Sequence, residues 1–242
     1  MSNEEYQPLA ELVHDRIAAS ERRPFLVAVT GGVAAGKSTV AEALRTLLGA
    51  GPERFSVEVV PADGFLFPNA ELDRRGLAAR KGAPETYDLD RIARFLAEVR
   101  AGAAEVRAPV YSHLTYDVVA GEERMVRPRG TLIMEGTPLL QDEIVGFFDL
   151  SIYVDAVERD LERWYVERFL SLRESARHDR ESFYAPFLSR SEDETAAIAH
   201  EVWRTVNGPN VRDHVLPTRD RADIVVEKGA DHSLGPIRLR AR

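Results

Sequence analysis

The segment from residue 31 to residue 39 could do chemistry because of its residue types and their spacing. It reads Gly-Gly-Val-Ala-Ala-Gly-Lys-Ser-Thr, which satisfies the pattern GxxxxGKS. Glycines at these positions let backbone N–H groups wrap a polyphosphate at a helix N-terminus, while Lys37 reaches the terminal phosphates and Ser38 offers a hydroxyl to Mg²⁺. We therefore predict a nucleotide-binding loop rather than a simple glycine-rich turn. Its members are Gly31, Gly32, Val33, Ala34, Ala35, Gly36, Lys37, Ser38 and Thr39.

Two acidic side chains follow predicted strands. Asp63 comes directly after VEVVPA, and Glu135 comes directly after TLIM. Ligands gather beyond the carboxyl ends of parallel strands, so both carboxylates are expected near the phosphate loop. There a carboxylate can orient Mg²⁺ or accept a proton from an acceptor hydroxyl. The simpler alternative is that each of them caps a turn.

Aromatic and basic side chains cluster in two further segments. His113, between Tyr111 and Tyr116, could hydrogen-bond an acceptor carboxylate or amide, although a lone histidine is more often a surface or packing residue. In the helix predicted over 157–173, Arg168 lies within an aromatic stripe of the kind that usually forms core. A guanidinium on a buried face needs an anionic partner. That partner is either a structural ion pair or a bound phosphate or carboxylate.

A doubly wound, mostly parallel α/β sheet with flanking helices must position these residues. The run at 25–30 is continuously apolar and β-branched, as in a strand buried on both faces, and a helix is predicted from 36 to 48 after the loop. Strands separated by helices indicate parallel pairing. The other strands are predicted at 56–60, 131–134, 150–154 and 223–226, and the other helices at 9–19, 89–101, 157–173 and 192–206.

Two segments interrupt this alternation. Residues 105–128 contain two β-rich pieces around the sequence AGEE, which predicts a β-hairpin beside the main sheet with its turn at AGEE. Residues 62–88 form a long loop rich in Gly, Pro, Arg and Asp, and such loops are commonly functional or disordered. Because repeats and long linkers are absent, we predict one domain over 1–242, in which residues 1–23 form an N-terminal helix and linker.

Composition narrows the class of protein. The 242 residues are 44% apolar and 30% charged, which is typical of a globular protein, and 40 acidic against 32 basic residues give a net charge of −8. This acidic excess argues against nucleic acid as the main partner. Cysteine is absent, which excludes disulfides and thiolate chemistry. Since neither a signal peptide nor an apolar span of membrane length is visible, we expect a cytoplasmic protein without a membrane partner.

Lysine is scarce among the basic residues. Only Lys37, Lys81 and Lys228 are present, and the other basic residues are arginine. A genomic preference for arginine would explain most of this bias. However, an ammonium and a guanidinium are not interchangeable at a phosphate. We therefore predict that replacing Lys37 or Lys81 by arginine impairs turnover.

Six further motifs follow the phosphate loop in the sequence. They are DGFLFPN from Asp63, RKGAPETYD from Arg80, PVYSHLTYD from Pro109, SIYVDA from Ser151, WYVERFL from Trp164 and LPTRDRA from Leu216. Together with the loop they resemble the prokaryotic type I pantothenate kinases, relatives of uridine kinase and phosphoribulokinase, over residues 31–222. The resemblance implies a P-loop kinase fold. It also implies transfer of the γ-phosphoryl group of ATP, with Mg²⁺, to the primary hydroxyl of pantothenate, the first step of coenzyme A biosynthesis.

The resemblance further implies roles for individual residues. Asp63 falls on the catalytic carboxylate beside the acceptor hydroxyl, and Arg168 can stabilise charge on the transferring phosphoryl group, with Lys37 as the third catalytic residue. Lys228 and His232 fall on the segment that flanks the adenine. The implied acceptor-binding residues are Tyr111, His113, Tyr165, Phe169, Asn207 and Asn210, and the implied metal ligands are Ser38 and Glu135. A homodimer is compatible with the resemblance.

The chain departs from the family pattern at several positions. Glu42 replaces an arginine that usually follows the phosphate loop, and the reversed charge predicts only weak inhibition by coenzyme A. On the acceptor side the departures are Thr137, Pro138, Leu172, Gly208 and Pro209. They leave open a related kinase for another hydroxyl acceptor, such as a nucleoside, a sugar phosphate or a hydroxy acid. A nucleotide-dependent switch protein is a further alternative, which the tyrosine-rich acceptor motifs disfavour.

Overall fold

Two β-sheets organise the chain. The computed structural model describes residues 3–50, 55–179 and 181–240. Its strands are β1 (Phe25–Gly31), β2 (Val57–Pro61), β3 (Val106–Ser112), β4 (Asp117–Val126), β5 (Thr131–Glu135), β6 (Leu150–Asp155), β7 (Ile224–Lys228) and β8 (Leu234–Leu239). The main sheet has the order β2-β5-β1-β6-β7-β8, in which only β8 is antiparallel to its neighbour. The predicted mostly parallel α/β sheet is therefore confirmed.

Helices connect the parallel strands and cover the sheet. They are α1 (Gln7–Ala18), α2 (Lys37–Ala50), α3 (Asn69–Arg74), α4 (Leu89–Arg100), α5 (Glu158–Ser175) and α6 (Glu192–Val202). Helix α6 begins at a capping box, because Ser191 and Glu194 satisfy each other's backbone N–H groups. The helix predicted over 192–206 is longer in the structure, because π-helical, α-helical and 3₁₀ turns follow α6 without a break from Trp203 to Arg221.

Strand β1 divides the hydrophobic core into two layers. Val27 and Val29 pack on one face of the sheet, in a cluster that includes residues of α1, α2 and α5. Leu26 and Ala28 point to the other face and join a cluster built from α4 and the inner residues of β3. Successive side chains of a strand alternate between faces, so a strand with apolar residues at every position requires cover on both sides. This arrangement leaves the carboxyl ends of the strands to carry the polar loops.

The hairpin of β3 and β4 has its turn at a different place from the one predicted. The strands pair from Val106–Val126 to Ser112–Asp117, so the turn comprises residues 113–116 and the sequence AGEE lies inside β4. Tertiary contacts hold this turn, because the backbone carbonyl of Tyr116 accepts hydrogen bonds from the side chains of Asn69 and Lys81. Local turn preferences around AGEE therefore did not decide where the chain reverses.

Several short elements were not predicted. Residues 62–88 contain α3 and three short helical turns rather than an irregular loop. The edge strand β8 was also missed, and none of its residues is buried, so the sequence lacks the apolar run of a buried strand. Among the described residues, no helix has both the length and the apolar composition needed to cross a membrane.

Candidate active site

The phosphate loop joins the end of β1 to the start of α2. Glycine is needed at two of its positions, because a methyl group at Gly31 would overlap the carbonyl oxygen of Val154 and because Gly36 has a φ of +85°. Lys37 Nζ donates a hydrogen bond to the carbonyl oxygen of Gly32 at 2.8 Å. The loop therefore wraps the N-terminus of α2, where free N–H groups and the positive end of the helix dipole favour a phosphate.

Ser38 and Glu135 meet beside this loop. Ser38 Oγ donates a hydrogen bond to Glu135 Oε1 at 2.9 Å, and Glu135, the last residue of β5, is buried. Hydroxyl and carboxylate oxygens suit Mg²⁺, which proteins usually bind through one or two carboxylates together with substrate phosphates. Within residues 3–50, 55–179 and 181–240, no group of three or more His, Cys, Asp or Glu is arranged to hold a metal. The donor set thus fits a magnesium ion that arrives with a nucleotide.

Lys37, Glu135 and Asp63 form a coupled group of charges at the strand ends. Burial lowers the pKa of Lys37, and the negative charges of Glu135 and Asp63 oppose that shift. Burial raises the pKa of Glu135, and the positive charge of Lys37 opposes it. The lysine predicted to contact phosphate is therefore linked electrostatically to both predicted functional carboxylates.

Asp63 is the second residue of the short helical turn Ala62–Phe65, which follows β2 directly. Its Oδ1 accepts a hydrogen bond from the hydroxyl of Tyr87 at 3.1 Å. This turn packs closely on the hairpin, because a methyl group at Gly64 would overlap the carbonyl oxygen of Pro109. The close packing brings the carboxylate and the hairpin side chains to the same place.

One cleft connects the phosphate loop with the predicted acceptor side. It has an empty volume of about 990 Å³, including its mouth. The phosphate loop contributes Val33, Ala34, Lys37 and Ser38 to its wall, together with the carboxylates Asp63 and Glu135. The other predicted residues in the wall are Tyr111, His113, Tyr165, Arg168, Phe169, Asn207 and Asn210. The structure thus gathers residues from five separate motifs around a single space.

Aromatic rings and amides form the acceptor side of the cleft. The rings of Tyr111 and His113 meet edge to face with centroids 5.1 Å apart. Burial raises the pKa of Tyr165 to about 12, although a hydrogen bond with Asn207 opposes the shift. Asn210 Nδ2 donates to the carbonyl oxygen of Gly82 at 2.9 Å, whereas its buried Oδ1 has no hydrogen-bond partner in the described chain. This wall therefore offers both donors and an open acceptor to a polar molecule.

Arg168 lies on the cleft side of α5 and is exposed, which corrects the expectation that its guanidinium sits on a buried face. No other side chain or carbonyl of the described chain forms an ion pair or hydrogen bond with it. Its positive charge nevertheless acts on the site, since it helps to lower the pKa of His113, after the larger effect of burial. Arg168 forms no structural ion pair within the described chain, and because its guanidinium is exposed to solvent, its contact with an anionic ligand stays a prediction.

Lys228 and His232 lie apart from this cleft. Lys228 is buried, and its Nζ is 3.6 Å from the position that a Cβ on Gly36 would occupy, so it approaches the phosphate loop from outside the cleft. His232 is exposed and stacks on Trp164 with ring centroids 4.3 Å apart. Contact of these two residues with adenine remains a prediction. The loop residues Gly31, Gly32, Ala35, Gly36 and Thr39 shape the loop but do not form the cleft wall.

Three tyrosines of the cleft, Tyr87, Tyr116 and Tyr184, were not among the predicted site residues. Tyr87 and Tyr116 belong to the motifs RKGAPETYD and PVYSHLTYD, which were the available signal. Lys81, singled out by lysine scarcity and by its place in RKGAPETYD, also lies in the wall. Its Nζ donates to Asn69 Oδ1 at 2.7 Å and lies 4.1 Å from the ring centroid of Tyr116. It therefore fastens the turn of the hairpin to the segment that follows Asp63.

The phosphate loop and the polar acceptor side share one cleft at one edge of a parallel sheet, and Asp63 lies in its wall. A nucleotide-hydrolysing switch needs only the first of these, whereas phosphoryl transfer to a second small molecule needs both. Fold and site together define a P-loop kinase.

Comparisons with known proteins identify the family. The profile of the phosphoribulokinase / uridine kinase family matches residues 26–234, and the chain belongs to this family. A pantothenate kinase of Sorangium cellulosum (strain So ce56) is 45% identical over 257 residues, which covers 97% of this chain and 83% of that protein. A pantothenate kinase of Cutibacterium acnes is 46% identical over 231 residues, covering 91% and 71%. These relatives confirm the resemblance found in the motifs.

Solved structures agree on the fold. A kinase from Silicibacter sp. TM1040 that has been ascribed to a fructose transport system superposes with a TM-score of 0.69 at 28% identity, over 88% of this chain and 93% of that one. A D-glycerate 3-kinase from Cryptococcus neoformans gives a TM-score of 0.63 over 96% and 98% of the two chains. At 11% identity the second match shows the fold alone.

Proposed function

We propose that the chain is an ATP-dependent pantothenate kinase, which transfers the γ-phosphoryl group of ATP to the primary hydroxyl of pantothenate in the cytoplasm. The observation that carries this proposal is the single cleft shared by the phosphate loop, Asp63 and the tyrosine-rich acceptor side. Relatives named pantothenate kinase, 45% identical over nearly the whole chain, support the choice of acceptor. The reaction begins the biosynthesis of coenzyme A.

Phosphoryl transfer depends mainly on positioning and on neutralising charge. The backbone N–H groups at the start of α2 and the ammonium of Lys37 would hold the β- and γ-phosphates. Ser38 and Glu135 would hold Mg²⁺, which neutralises charge on the phosphates when it is bound. A γ-phosphoryl group held in this way would lie in the cleft that the phosphate loop shares with the acceptor side.

Asp63 is proposed as the general base. As the acceptor oxygen forms its bond to phosphorus and the bond to the β-phosphate oxygen breaks, the hydroxyl proton passes to the Asp63 carboxylate. Arg168 is proposed to stabilise the charge of the transferring group, because its side chain lines the cleft and has no hydrogen-bond or ion-pair partner among the described residues. These roles require the hydroxyl to lie between Asp63 and the phosphate loop.

Recognition of pantothenate is proposed to use the polar wall of the cleft. The molecule carries hydroxyl, amide and carboxylate groups, which match the phenols of Tyr111 and Tyr165 and the amide of Asn207. Burial raises the pKa of both phenols, which keeps them protonated as hydrogen-bond donors. Asn210 Oδ1, which has no hydrogen-bond partner among the described residues, can accept from an amide or hydroxyl. His113 has a lowered pKa, so at neutral pH it would contribute a neutral imidazole.

We also propose that coenzyme A inhibits this enzyme only weakly. Glu42 is exposed on α2, in the second turn after the phosphate loop, and its carboxylate pairs with Arg45 at 2.6 Å. A negative charge at this position repels a polyanion bound over the loop. Coenzyme A carries phosphates and would meet that repulsion.

The proposal is tested with a panel of acceptors in an ADP-release assay. Pantothenate, D-glycerate, fructose and uridine are compared with purified protein and Mg-ATP. We expect saturable turnover with pantothenate and a kcat/KM at least about 100-fold higher than with the others. If another acceptor is preferred, the protein is a kinase for that acceptor and the assignment of pantothenate is wrong. Hydrolysis of ATP that does not depend on an acceptor would favour the switch protein.

A variant tests the assigned base directly. Asp63→Asn keeps the size of the side chain but removes the proton acceptor, so kcat should fall by about 10²- to 10⁴-fold. The dissociation constant of ADP, measured by calorimetry, should change little. An unaltered kcat would remove Asp63 from the role of base.

A further inference from the structure

A buried phenol connects the Asp63 carboxylate to a threonine of the neighbouring strand end. The hydroxyl of Tyr87 donates to Asp63 Oδ1 at 3.1 Å and lies 3.2 Å from Thr137 Oγ1. Tyr87 is only 4% exposed, so neither of these hydrogen bonds is readily replaced by water. Neither Tyr87 nor Thr137 is among the residues assigned a role above.

The backbone holds Tyr87 in place beside Asp63. Leu66 and Tyr87 form an isolated antiparallel bridge, and the flanking hydrogen bonds run from Phe67 N to the carbonyl oxygen of Thr86 and from Asp88 N to that of Phe65. The ring itself packs in the core cluster on the hairpin face of the sheet. The backbone and the ring of Tyr87 are therefore both fixed, which holds its hydroxyl in place beside Asp63.

Thr137 is held equally firmly, because its backbone is tied to β1. Thr30 Oγ1 donates to the carbonyl oxygen of Thr137 at 3.1 Å, and the preceding Gly136 N donates to the carbonyl oxygen of Val29 at 3.0 Å. The side-chain hydroxyl of Thr137 is also 3.5 Å from the carbonyl oxygen of Gly82, a longer contact than the one to Tyr87.

Counting protons gives the hydrogen bonds a direction. The phenol has one proton, and the carboxylate is acceptor-only when ionised, so the proton of Tyr87 points to Asp63. The bond between Thr137 and Tyr87 then takes its proton from the threonine. The hydrogen bonds therefore run from Thr137 to Tyr87 to Asp63 and end on the negative charge of the carboxylate. We call this series of two hydrogen bonds the relay.

We propose that Tyr87 and Thr137 are positioning residues that fix the orientation of the Asp63 carboxylate for proton transfer, an inference that rests on the proposed kinase function. Tyr87 occupies Oδ1 and leaves Oδ2 to face the acceptor hydroxyl. Thr137 orients the phenol of Tyr87 and acts on Asp63 only through that phenol.

The relay is tested by a double-mutant cycle on the purified full-length protein. Tyr87→Phe should lower kcat by about 10- to 100-fold, because a hydrogen bond to a charged group is lost, while the KM for ATP and the ADP affinity stay unchanged. Thr137→Val should lower kcat by about 3- to 10-fold, and Thr137→Ser should restore most of that loss. In the Tyr87→Phe background, Thr137→Val should have no further effect.

A matched control separates positioning from loss of stability. Tyr153→Phe removes another buried phenol, on β6 and outside the cleft wall, and should leave kcat unchanged. Melting temperatures of all variants are recorded in parallel. Additive losses for Tyr87→Phe and Thr137→Val, or unchanged kcat in both, would overturn the relay.

Failure of the relay and failure of the proposed function give different results. If Asp63→Asn loses activity but Tyr87→Phe does not, the base assignment stands and the relay is wrong. If Asp63→Asn remains fully active, the proposed role of Asp63 is wrong, and with it the reason for a relay.

Discussion

Replacing Gly136 with alanine should disable catalysis through a single methyl group. Gly136 lies between Glu135 and Thr137, and a Cβ built on it would be 2.5 Å from the Cβ of Ala62, the residue before Asp63. Ordinary van der Waals contact begins near 3.4 Å, so the two strand ends must separate by about 1 Å. Neither neighbour can move easily, because Ala62 is fully buried and Gly136 N is bonded to β1.

The expected size of the effect follows from that displacement. A shift of about 1 Å in a catalytic group can cost roughly 100-fold in rate, so kcat of Gly136→Ala should fall by about two orders of magnitude. Overpacking should also lower the free energy of unfolding by about 1–3 kcal/mol. The ADP dissociation constant should change little, because the clash lies on the side of Asp63 and not at the phosphate loop.

Steady-state kinetics, ADP calorimetry and urea titration provide the assay. Gly146→Ala is the matched control, because Gly146 has open space around it and no left-handed φ, and this variant should behave like the wild type. Adding Ala62→Gly to Gly136→Ala removes the opposing methyl group and should restore most of kcat. Wild-type kcat in Gly136→Ala, or no recovery in the double variant, would refute the argument from close approach.

Other changes test other parts of the site. Arg168→Gln should lower kcat by about 100-fold without changing the melting temperature, since the guanidinium has no other protein partner in the described chain; a parallel loss of stability would indicate a structural role. Lys81→Arg should lower kcat at least about tenfold, because a planar guanidinium does not replace an ammonium between Asn69 Oδ1 and the Tyr116 carbonyl. Wild-type kinetics in this variant would show that the identity of the basic residue at position 81 does not matter for turnover. Burial lowers the pKa of Lys81 from 10.5 to about 8, so the unfolded chain binds this proton more tightly. The stability of the wild type relative to Lys81→Met should therefore rise by about 2 kcal/mol from pH 7 to pH 9.5 in urea titrations, and a flat difference would contradict this. Glu42→Arg should strengthen inhibition by coenzyme A several-fold, whereas tight inhibition of the wild type that the variant leaves unaltered would contradict the proposed repulsion.

The scarcity of lysine in the sequence pointed to residues with specific environments in the structure. Lys37, Lys81 and Lys228 all have pKa values lowered by burial, and the first two lie in the cleft wall. Scarcity therefore drew attention to Lys81, whose contacts with Asn69 and Tyr116 no motif predicted. A buried ammonium needs specific partners, which a solvated surface lysine does not, and Lys81 has them in Asn69 and Tyr116. Its importance for turnover stays a prediction.

Some features of the fold could not be predicted from the sequence because tertiary contacts determine them. The hairpin turn lies at residues 113–116 and not at AGEE, since Asn69 and Lys81, more than 30 residues earlier in the chain, bind the carbonyl oxygen of Tyr116. The edge strand β8 has no buried apolar run, and only pairing with β7 makes it a strand.

The sequence by itself determined the phosphate loop, the parallel sheet and the two strand-end carboxylates. These features depend on local patterns, and one topological rule places Asp63 and Glu135 at the same edge of the sheet. Only the tertiary structure decided which groups touch the carboxylates. Tyr87 lies 24 positions beyond Asp63 in the sequence and donates to its carboxylate, and Thr137 lies 50 positions beyond Tyr87 and contacts the phenol. The strand ends that carry Asp63 and Thr137 pack closely, since Gly136 approaches Ala62. Such distances in space depend on how separate strand ends pack, which the spacing of residues along a chain does not encode.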